Sequence, residues 1–423
     1  MRKITCFLLA LFLVLSAMAH DFEAVNNGTT IYYTVTSNTA PRTVEVSFRG
    51  TTYNEYMDEY SGDVKIPNSV TYNGNTYSVT AIGAYAFYNC SSLTSISIAN
   101  TVVSIKEGSI YGCSSLKSVS IPESVTSIGN HAFAYSTLLS SITISNSVNS
   151  IGEGAFRNCT SLTSITIPNL VTNIAPRFFY ECFSLISINV NNDNPNYSSE
   201  NGVLFDKNKT TLVCFPAGKT SAYIIPNSVK FIGDHAFYGC RLLSAVTIPN
   251  SVIRIESNTF AYCSSLTSIN IPSTIVAIEA NAFGFCTALK DIIVNWTTPL
   301  TIFSNRFMGV TTSNVRLIIP DGTYGLYAVA EVWKDFILTE FSGINTTNDV
   351  PLVIYPNPVA NELKIETDSK INGIQITDLT GKMVYSSFVI NNNLINVSTL
   401  PSGIYLVKID TDKGVKTERV IVN

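Results

Sequence analysis

The sequence predicts a mainly β fold, in which a solenoid of parallel strands with short helical or irregular turns precedes a small antiparallel β-sandwich. Isoleucine returns every 23 residues at Ile82, Ile105, Ile128 and Ile151 and, after one interruption, at Ile232, Ile255 and Ile278. From residue 352 that period is replaced by an alternation of apolar and polar residues, which is typical of strands. These two patterns predict two domains of different construction.

The repeating unit reads I-G-x-x-A-F-x-x-C-x-x-L-x-x-I-x-I-P-x-x-V-x-x, as in residues 151–173. One unit buries too little apolar surface to offset the entropy lost when its chain is ordered, so the units must stack on one another. The strand of the first unit spans residues 93–98, with Ile96 and Ile98 on one side and Ser95 and Ser97 on the other. Residues 82–301 are therefore predicted to form the solenoid.

The interval between Ile174 and Ile232 is longer than the period. Its surplus, residues 191–225, ends in a strand-and-proline tail like those of the other units, which predicts an extra, enlarged coil. Apolar segments at 203–205 and 212–215 flank a polar turn and predict a hairpin within this coil. We expect that hairpin to project sideways.

Both ends of the solenoid need caps, because a bare end would expose an apolar face. Residues 20–81 predict the N-terminal cap: segments 30–35 and 42–46 alternate like strands, and Asn73-Gly74 predicts a hairpin turn. Ile66 to Val70 repeats the end of the unit. Residues 302–341 keep only part of the pattern and predict the C-terminal cap, and the polar residues 342–351 predict a linker.

Residues 1–19 are predicted to be an export signal. Arg2 and Lys3 precede an apolar run from Ile4 to Leu15, and Ala17-Met18-Ala19 supplies the small residues of a cleavage site. The run is shorter than the roughly 20 apolar residues of a membrane span. We expect the mature chain to begin at His20 and to leave the cytoplasm.

The cysteines form a ladder at one position of the unit: Cys90, Cys113, Cys159, Cys182, Cys240, Cys263 and Cys286. Export favours disulfides, and stacked coils would bring Cα atoms within bonding range. However, neighbouring rungs point the same way, which separates their Cβ atoms, and Ser136 replaces one rung. Free buried thiols are therefore predicted.

Composition and motifs argue against several functions. Only 13% of residues are charged and the net charge is −4, which disfavours a nucleic-acid partner. His131 and His235 occupy the same unit position in different coils, so we expect them in solvated loops, unable to share a metal ion. With no catalytic, cofactor or metal motif in the sequence, a non-enzymatic protein is predicted.

Two surfaces are candidates for binding. The first, the strand face, is uncharged and consists of the outward strand positions Ser95, Ser97, Ser118, Ser120, Ser141, Thr143, Ser164, Thr166, Ser187, Asn189, Thr247, Ser268 and Asn270. These small residues could instead only keep a crowded sheet soluble. The second, the aromatic row, consists of Tyr88, Tyr111, Tyr135, Tyr180, Tyr238, Tyr262 and Phe285. Aromatic side chains favour interfaces and sugar rings, although packing between coils would also explain them.

The strand pattern Leu93-x-x-Ile96-x-Ile98 with its following Ile-Pro-x-x-Val resembles the BspA-like branch of leucine-rich repeat surface proteins, over roughly residues 20–341. The asparagine that usually follows that strand in leucine-rich repeats is absent. The resemblance implies a leucine-rich repeat solenoid displayed outside the cell.

Residues 352–423 resemble the C-terminal sorting domain of the type IX secretion system. The motif residues that carry the resemblance are Tyr355, Pro356, Asn357, Pro358, Gly381, Gly403 and Tyr405. This implies passage across the outer membrane of a Gram-negative cell through the type IX machinery, removal of the tail, and either release or attachment to the surface. An accessory immunoglobulin-like domain is the alternative.

These observations predict a secreted or surface-attached adhesin that binds host matrix proteins, other cells or glycans through its repeat surface. The alternative is a structural or glycan-capturing surface component of a nutrient-uptake system. In either case the expected partner is an extracellular protein or glycan, and we expect no nucleic acid, transmembrane span or cofactor.

Overall fold

The computed structural model describes residues 18–174, 177–220, 222–340, 352–378, 383–387 and 393–422. Most of the predicted signal (residues 1–17), the linker at 342–351 and Gly381 lie outside these ranges. Within them the predicted fold class is confirmed, because stacked parallel strands are followed by two antiparallel sheets.

Two ladders of parallel strands run along the solenoid. The first contains the strands predicted from the unit, in register, so that Ser118 pairs with Ser141 and Ser164 with Ser187. Its strands are Leu93–Ser97, Ser118–Ser120, Ser141–Thr143, Ser164–Ile167, Ser187–Val190, Tyr223–Ile224, Ala245–Thr247, Ser268–Ile271, Asp291–Val294, Arg316–Ile319 and Ile337–Glu340. The second ladder contains two-residue strands at the periodic isoleucine: Ser104–Ile105, Ser127–Ile128, Ser150–Ile151, Asn173–Ile174, Phe231–Ile232, Arg254–Ile255 and Ala277–Ile278.

The core lies between the two ladders and repeats with the coils. The phenylalanines of adjacent units stack on one another, as in Phe133 on Phe156 with centroids 5.5 Å apart and Phe260 on Phe283 at 5.6 Å. All four rings are fully buried. A column of identical rings therefore supplies much of the apolar surface that a single coil lacks.

The cysteine ladder satisfies backbone carbonyl groups of the adjacent coil. Each thiol of the ladder after Cys90 donates a hydrogen bond to a carbonyl oxygen of the preceding coil at 3.0–3.7 Å, as Cys182 does to Phe156. Ser136 keeps this bond through its hydroxyl, at 3.1 Å to the carbonyl of Ile110. All eight cysteines within the described ranges are free thiols, as predicted. Burial raises the pKa of Cys159 to about 12, so its thiol stays in the protonated form that donates.

The glycine after the periodic isoleucine allows coils to approach closely. A Cβ atom at Gly129 would lie 2.6 Å from the backbone nitrogen of Glu107, and one at Gly152 would lie 2.4 Å from that of Asn130. These distances are shorter than real Cβ contacts allow. The glycine is thus a packing requirement wherever the preceding coil lies this near.

The N-terminal residues close the solenoid by extending both ladders. Their strands are Phe22–Asn26, Thr29–Ser37, Thr43–Ser47, Gly62–Lys65, Ser69–Tyr72 and Asn75–Ile82. Gly62–Lys65 pairs in parallel with Leu93–Ser97, and Thr43–Ser47 pairs in parallel with Asn75–Ile82. The predicted turn at Asn73-Gly74 is confirmed, since both residues have positive φ between two antiparallel strands.

The hairpin in the enlarged coil forms, but its predicted sideways projection is wrong. It contains strands Tyr197–Glu200, Val203–Asp206 and Thr211–Cys214, and the last pairs in parallel with Phe231–Ile232 as a coil of the second ladder does. Val203, Leu204 and Phe205 are all fully buried. Leu204 belongs to the N-terminal core cluster and its two neighbours to the C-terminal one, so this strand separates the two halves of the core.

At the other end, short helical turns at Ser304–Phe307, Thr312–Asn314, Tyr324–Tyr327 and Trp333–Asp335 cover the last coils. Trp333 and Tyr327 are fully buried there and donate hydrogen bonds to backbone carbonyls of Leu300 and Trp296. These two large side chains fill the space that a further coil would occupy.

The C-terminal domain consists of two antiparallel sheets around its own core cluster. One sheet contains Leu352–Tyr355, Glu362–Thr367 and Leu394–Asn396, and the other contains Ile371–Asp378, Met383–Ser387, Gly403–Thr411 and Gly414–Val422. Side chains of the two sheets alternate between this core and the surface, as in Tyr405, Val407 and Ile409, which are buried.

The thiol-to-carbonyl bond predicts the effect of changing one rung. Cys182→Ala should lower the free energy of unfolding by about 1–2 kcal/mol, because it leaves the Phe156 carbonyl without a donor and opens a small void. Cys182→Ser should cost less, since Ser136 shows that a hydroxyl fits. Guanidinium denaturation of both variants measures the difference. Equal losses for alanine and serine would contradict a donor role.

The close approach of coils predicts the effect of a single methyl group. Gly152→Ala should destabilise the protein by about 1–3 kcal/mol, because the new Cβ must displace the backbone near Asn130. Glu256→Ala is the matched control, since the equivalent position there already carries a side chain, and it should change stability by less than about 0.5 kcal/mol. Thermal unfolding of both variants tests this, and a neutral Gly152→Ala would refute the packing requirement.

Candidate functional site

The strand face forms a continuous sheet of small polar side chains along the N-terminal half of the solenoid. Parallel register aligns equivalent residues, so each column repeats at about 4.8 Å. One column contains Ser95, Ser118, Ser141, Ser164 and Ser187, and the other contains Ser97, Ser120, Thr143, Thr166 and Asn189. All are exposed except Ser187, which is half-buried. The face offers hydroxyl and amide groups without formal charge.

Further along, the same face is covered. Thr247 and Ser268 are half-buried and Asn270 is buried. The side-chain amide oxygen of Asn270 accepts a hydrogen bond of 2.9 Å from Arg419 of the C-terminal domain. The exposed members of the predicted strand face therefore all lie in the coils before the interruption.

The aromatic row forms two runs of rings in mutual contact, one before and one after the coil that begins at Ile151. Ring centroids of Tyr88 and Tyr111 lie 5.1 Å apart and those of Tyr111 and Tyr135 also 5.1 Å. Beyond the interruption, Tyr180 stacks on Tyr238 at 4.1 Å, Tyr238 contacts Tyr262 at 5.2 Å and Tyr262 stacks on Phe285 at 4.6 Å. The seven predicted residues thus lie in one row on the surface. They do so although some are six and others seven residues after the periodic isoleucine of their unit.

Arg157 completes this column and is absent from the predicted row. The coil that begins at Ile151 has no aromatic residue there, and the guanidinium carbon of Arg157 lies 5.5 Å from the Tyr135 ring and 5.0 Å from the Tyr180 ring. Such cation–π contacts replace ring stacking. Alignment of the units would have placed Arg157 in the row, but a search for aromatic residues alone omits it.

Stacking leaves little ring surface for a ligand. Sugars bind to the faces of aromatic rings, whereas Tyr88 and Tyr111 are inclined by 18° and Tyr262 and Phe285 by 12°, so these rings cover one another's faces. Edges and phenol groups remain on the surface. This geometry favours packing between coils as the role of the row.

The expected solvated position of His235 is wrong. Its side chain is 8% exposed, with Nδ1 2.8 Å from a carboxylate oxygen of Asp234. Burial lowers its pKa, and the nearby carboxylate of Asp234 opposes this only in part. The extra coil explains the difference, because it lies against this turn. His131 and His235 line one shallow concavity of about 240 Å³, together with Arg177 and Tyr180.

No cluster of three or more histidine, cysteine, aspartate or glutamate side chains that could hold a metal ion occurs among the residues that the structure describes. Nor does this part of the chain contain a helix with the length and apolar character of a membrane span.

The predicted sorting motif holds the last strand in place. The Asn357 side chain donates to the carbonyl of Arg419 at 2.6 Å and accepts from the backbone N–H of Ile421 at 2.9 Å. The Tyr405 hydroxyl donates to the carbonyl of Pro401 at 2.7 Å. Tyr355, Pro356 and Pro358 flank Asn357, and Gly403 begins the neighbouring strand. Asn357 thus connects the motif to the last strand, Gly414–Val422.

Comparison with known protein families identifies both domains. Residues 80–201 and 212–326 match the BspA type leucine-rich repeat region in six copies, and residues 353–423 match the secretion system C-terminal sorting domain. The second match implies secretion by the type IX machinery. No curated protein matches the chain.

Solved structures support the fold alone. The pneumococcal vaccine antigen PcpA is 16% identical with a TM-score of 0.55, and a leucine rich cell surface protein from Faecalibacterium prausnitzii is 24% identical with a TM-score of 0.50. Each similarity covers 76% of this chain and 99% of the other. On the repeat and tail matches together, the chain belongs to the BspA type leucine-rich repeat family and ends in a secretion system C-terminal sorting domain.

Proposed function

We propose that this protein is a non-enzymatic adhesin attached to the outer cell surface, and that it binds an extracellular protein or glycan through the strand face between Ser95 and Asn189. The observation that carries the proposal is the exposed sheet of hydroxyl and amide groups in these coils. Its columns repeat without formal charge over five coils, so recognition depends on hydrogen bonding and shape.

We choose between the two candidate surfaces by asking which side chains are exposed to solvent and which are occupied by contacts within the protein. Outward residues of the strand face such as Ser118 and Ser141 are exposed, whereas several rings of the aromatic row, such as Tyr88 and Tyr111, turn their faces towards each other. A glycan can hydrogen-bond to hydroxyl columns without ring stacking, so both protein and glycan partners remain compatible with this face.

The full chain, applied to immobilised extracellular-matrix proteins and to a glycan array, should bind at least one of them. Ser141→Arg places a long charged side chain at the centre of the strand face and should weaken that binding roughly tenfold or more, because it prevents close contact. Exposed substitutions of this kind change stability by less than about 0.5 kcal/mol, so circular dichroism should be unaltered.

Two matched variants locate the binding surface. Ser265→Arg makes the same substitution at an exposed turn position outside the strand face and should leave binding unchanged. Tyr111→Ala interrupts the aromatic row and should lower thermal stability while retaining affinity at low temperature. Loss of binding with Tyr111→Ala but not with Ser141→Arg would transfer the function to the row. Binding to glycans but to no matrix protein would favour glycan capture for nutrient uptake.

A further inference from the structure

The strand face changes its chemistry in the last coils. In register with Asn270, the next two outward positions are Ile293 and Ile318. These isoleucines are 0% and 6% exposed, yet they do not belong to the solenoid core cluster, which contains their neighbours Ile292 and Leu317. Since side chains alternate along a strand, their burial must come from outside the solenoid core.

The C-terminal domain has a matching apolar outer side. Ile404 pairs with Ile421 across two antiparallel strands, and Leu406 pairs with Arg419 two residues further along the same strands. None of these three apolar residues belongs to the core cluster of the domain, which contains the alternate residue Tyr405. Ile404, Leu406 and Ile421 are nevertheless half-buried.

Contacts join these two faces at one end. Arg419 donates from Nη1 to Oδ1 of Asn270 at 2.9 Å, and burial lowers the pKa of its guanidinium group. Beside this bond, Ile404 and Ile421 face Thr247 and Ser268 across a gap of about 210 Å³ that both domains line. A charged group is placed in such a site only where a partner accepts its hydrogen bond.

The charge of the C-terminal domain is also felt on the neighbouring column of the same face. The pKa of Arg316 is raised first by its hydrogen bond to Asp291 at 2.7 Å, and also by the charge of Asp378 from the C-terminal domain. Arg316 and Asp291 are paired outward residues of the strands that carry Ile318 and Ile293. The apolar pair thus lies next to the Asn270 hydrogen bond in its own column, and beside two residues, Asp291 and Arg316, near the charge of Asp378.

We propose that the strand face from Thr247 to Ile318 is a docking surface for the chain's own C-terminal sorting domain, which packs on it as a second sheet. The two isoleucines replace the serine, threonine and asparagine of earlier coils because this section is built to be covered. An external partner of the full chain is then confined to the open section before Asn189, until the domain detaches. That consequence rests on the proposed function, whereas the docking itself does not.

Thiol labelling tests the docking without any external ligand. Ser268→Cys and Ser118→Cys place a reporter at equivalent positions of the covered and the open section of the full chain. Of the eight cysteines in the described ranges, seven are buried and Cys214 is half-buried, so they contribute little signal. Ser268→Cys should react with a soluble maleimide roughly tenfold more slowly than Ser118→Cys, because its reaction requires the domain to detach.

Variants of the C-terminal domain show whether that domain causes the protection. Adding Arg419→Ala or Ile404→Asp should bring the Ser268→Cys rate close to that of Ser118→Cys, and adding Lys408→Ala, an exposed residue of the same strand as Ile404, should not. The proposal is overturned if Ser268→Cys reacts as fast as Ser118→Cys in the otherwise native chain, or if its slow rate survives both variants. Either result leaves the proposed adhesin function untouched.

Discussion

In-register stacking of successive coils is the constraint on which the rest of this structure depends. Backbones that lie at the spacing of paired strands turn each position of the 23-residue unit into a column, and every column must accommodate its own neighbours. Glycine satisfies this demand at Gly152, where any Cβ would meet the preceding backbone. A thiol satisfies it at Cys182, where a small buried donor meets a carbonyl group. The retained bond of Ser136 indicates that the donor matters more than the sulfur atom.

The same constraint gives the two candidate surfaces opposite properties. On the strand face, equivalent side chains stand perpendicular to the sheet and leave their hydroxyl groups in solvent. In the turns, equivalent rings are large enough to meet, so Tyr111 and its neighbours stack and Arg157 fills the place of a missing ring. One surface is therefore available to a partner, while the other stabilises the stack. In the docking proposed for the sorting domain, a column of the strand face has a third role. Its outward residues Ile293 and Ile318 are apolar and buried, so they suit a surface that another domain covers.

The period alone was sufficient to predict the solenoid, its strands and the thiol ladder, because each depends on positions within one unit. Features that depend on contacts between coils or between the two domains are harder to predict from the sequence. Three successive buried residues at 203–205 indicate a strand covered on both sides, but the polar turn after them suggested a surface hairpin. His235 was misplaced because the coil inserted before it lies against its turn. The contact between Asn270 and Arg419 joins residues far apart in sequence, and no local pattern connects them.

Distances between equivalent residues test the stacked register most directly. Spin labels attached through Ser95→Cys with Ser164→Cys, and Ser95→Cys with Ser187→Cys, probe separations of three and four coils on the strand face. Pulsed electron paramagnetic resonance should give backbone separations of about 14 Å and about 19 Å, because each coil adds about 4.8 Å. Distances that fail to increase by one strand spacing per coil would contradict an in-register solenoid and, with it, a continuous binding face.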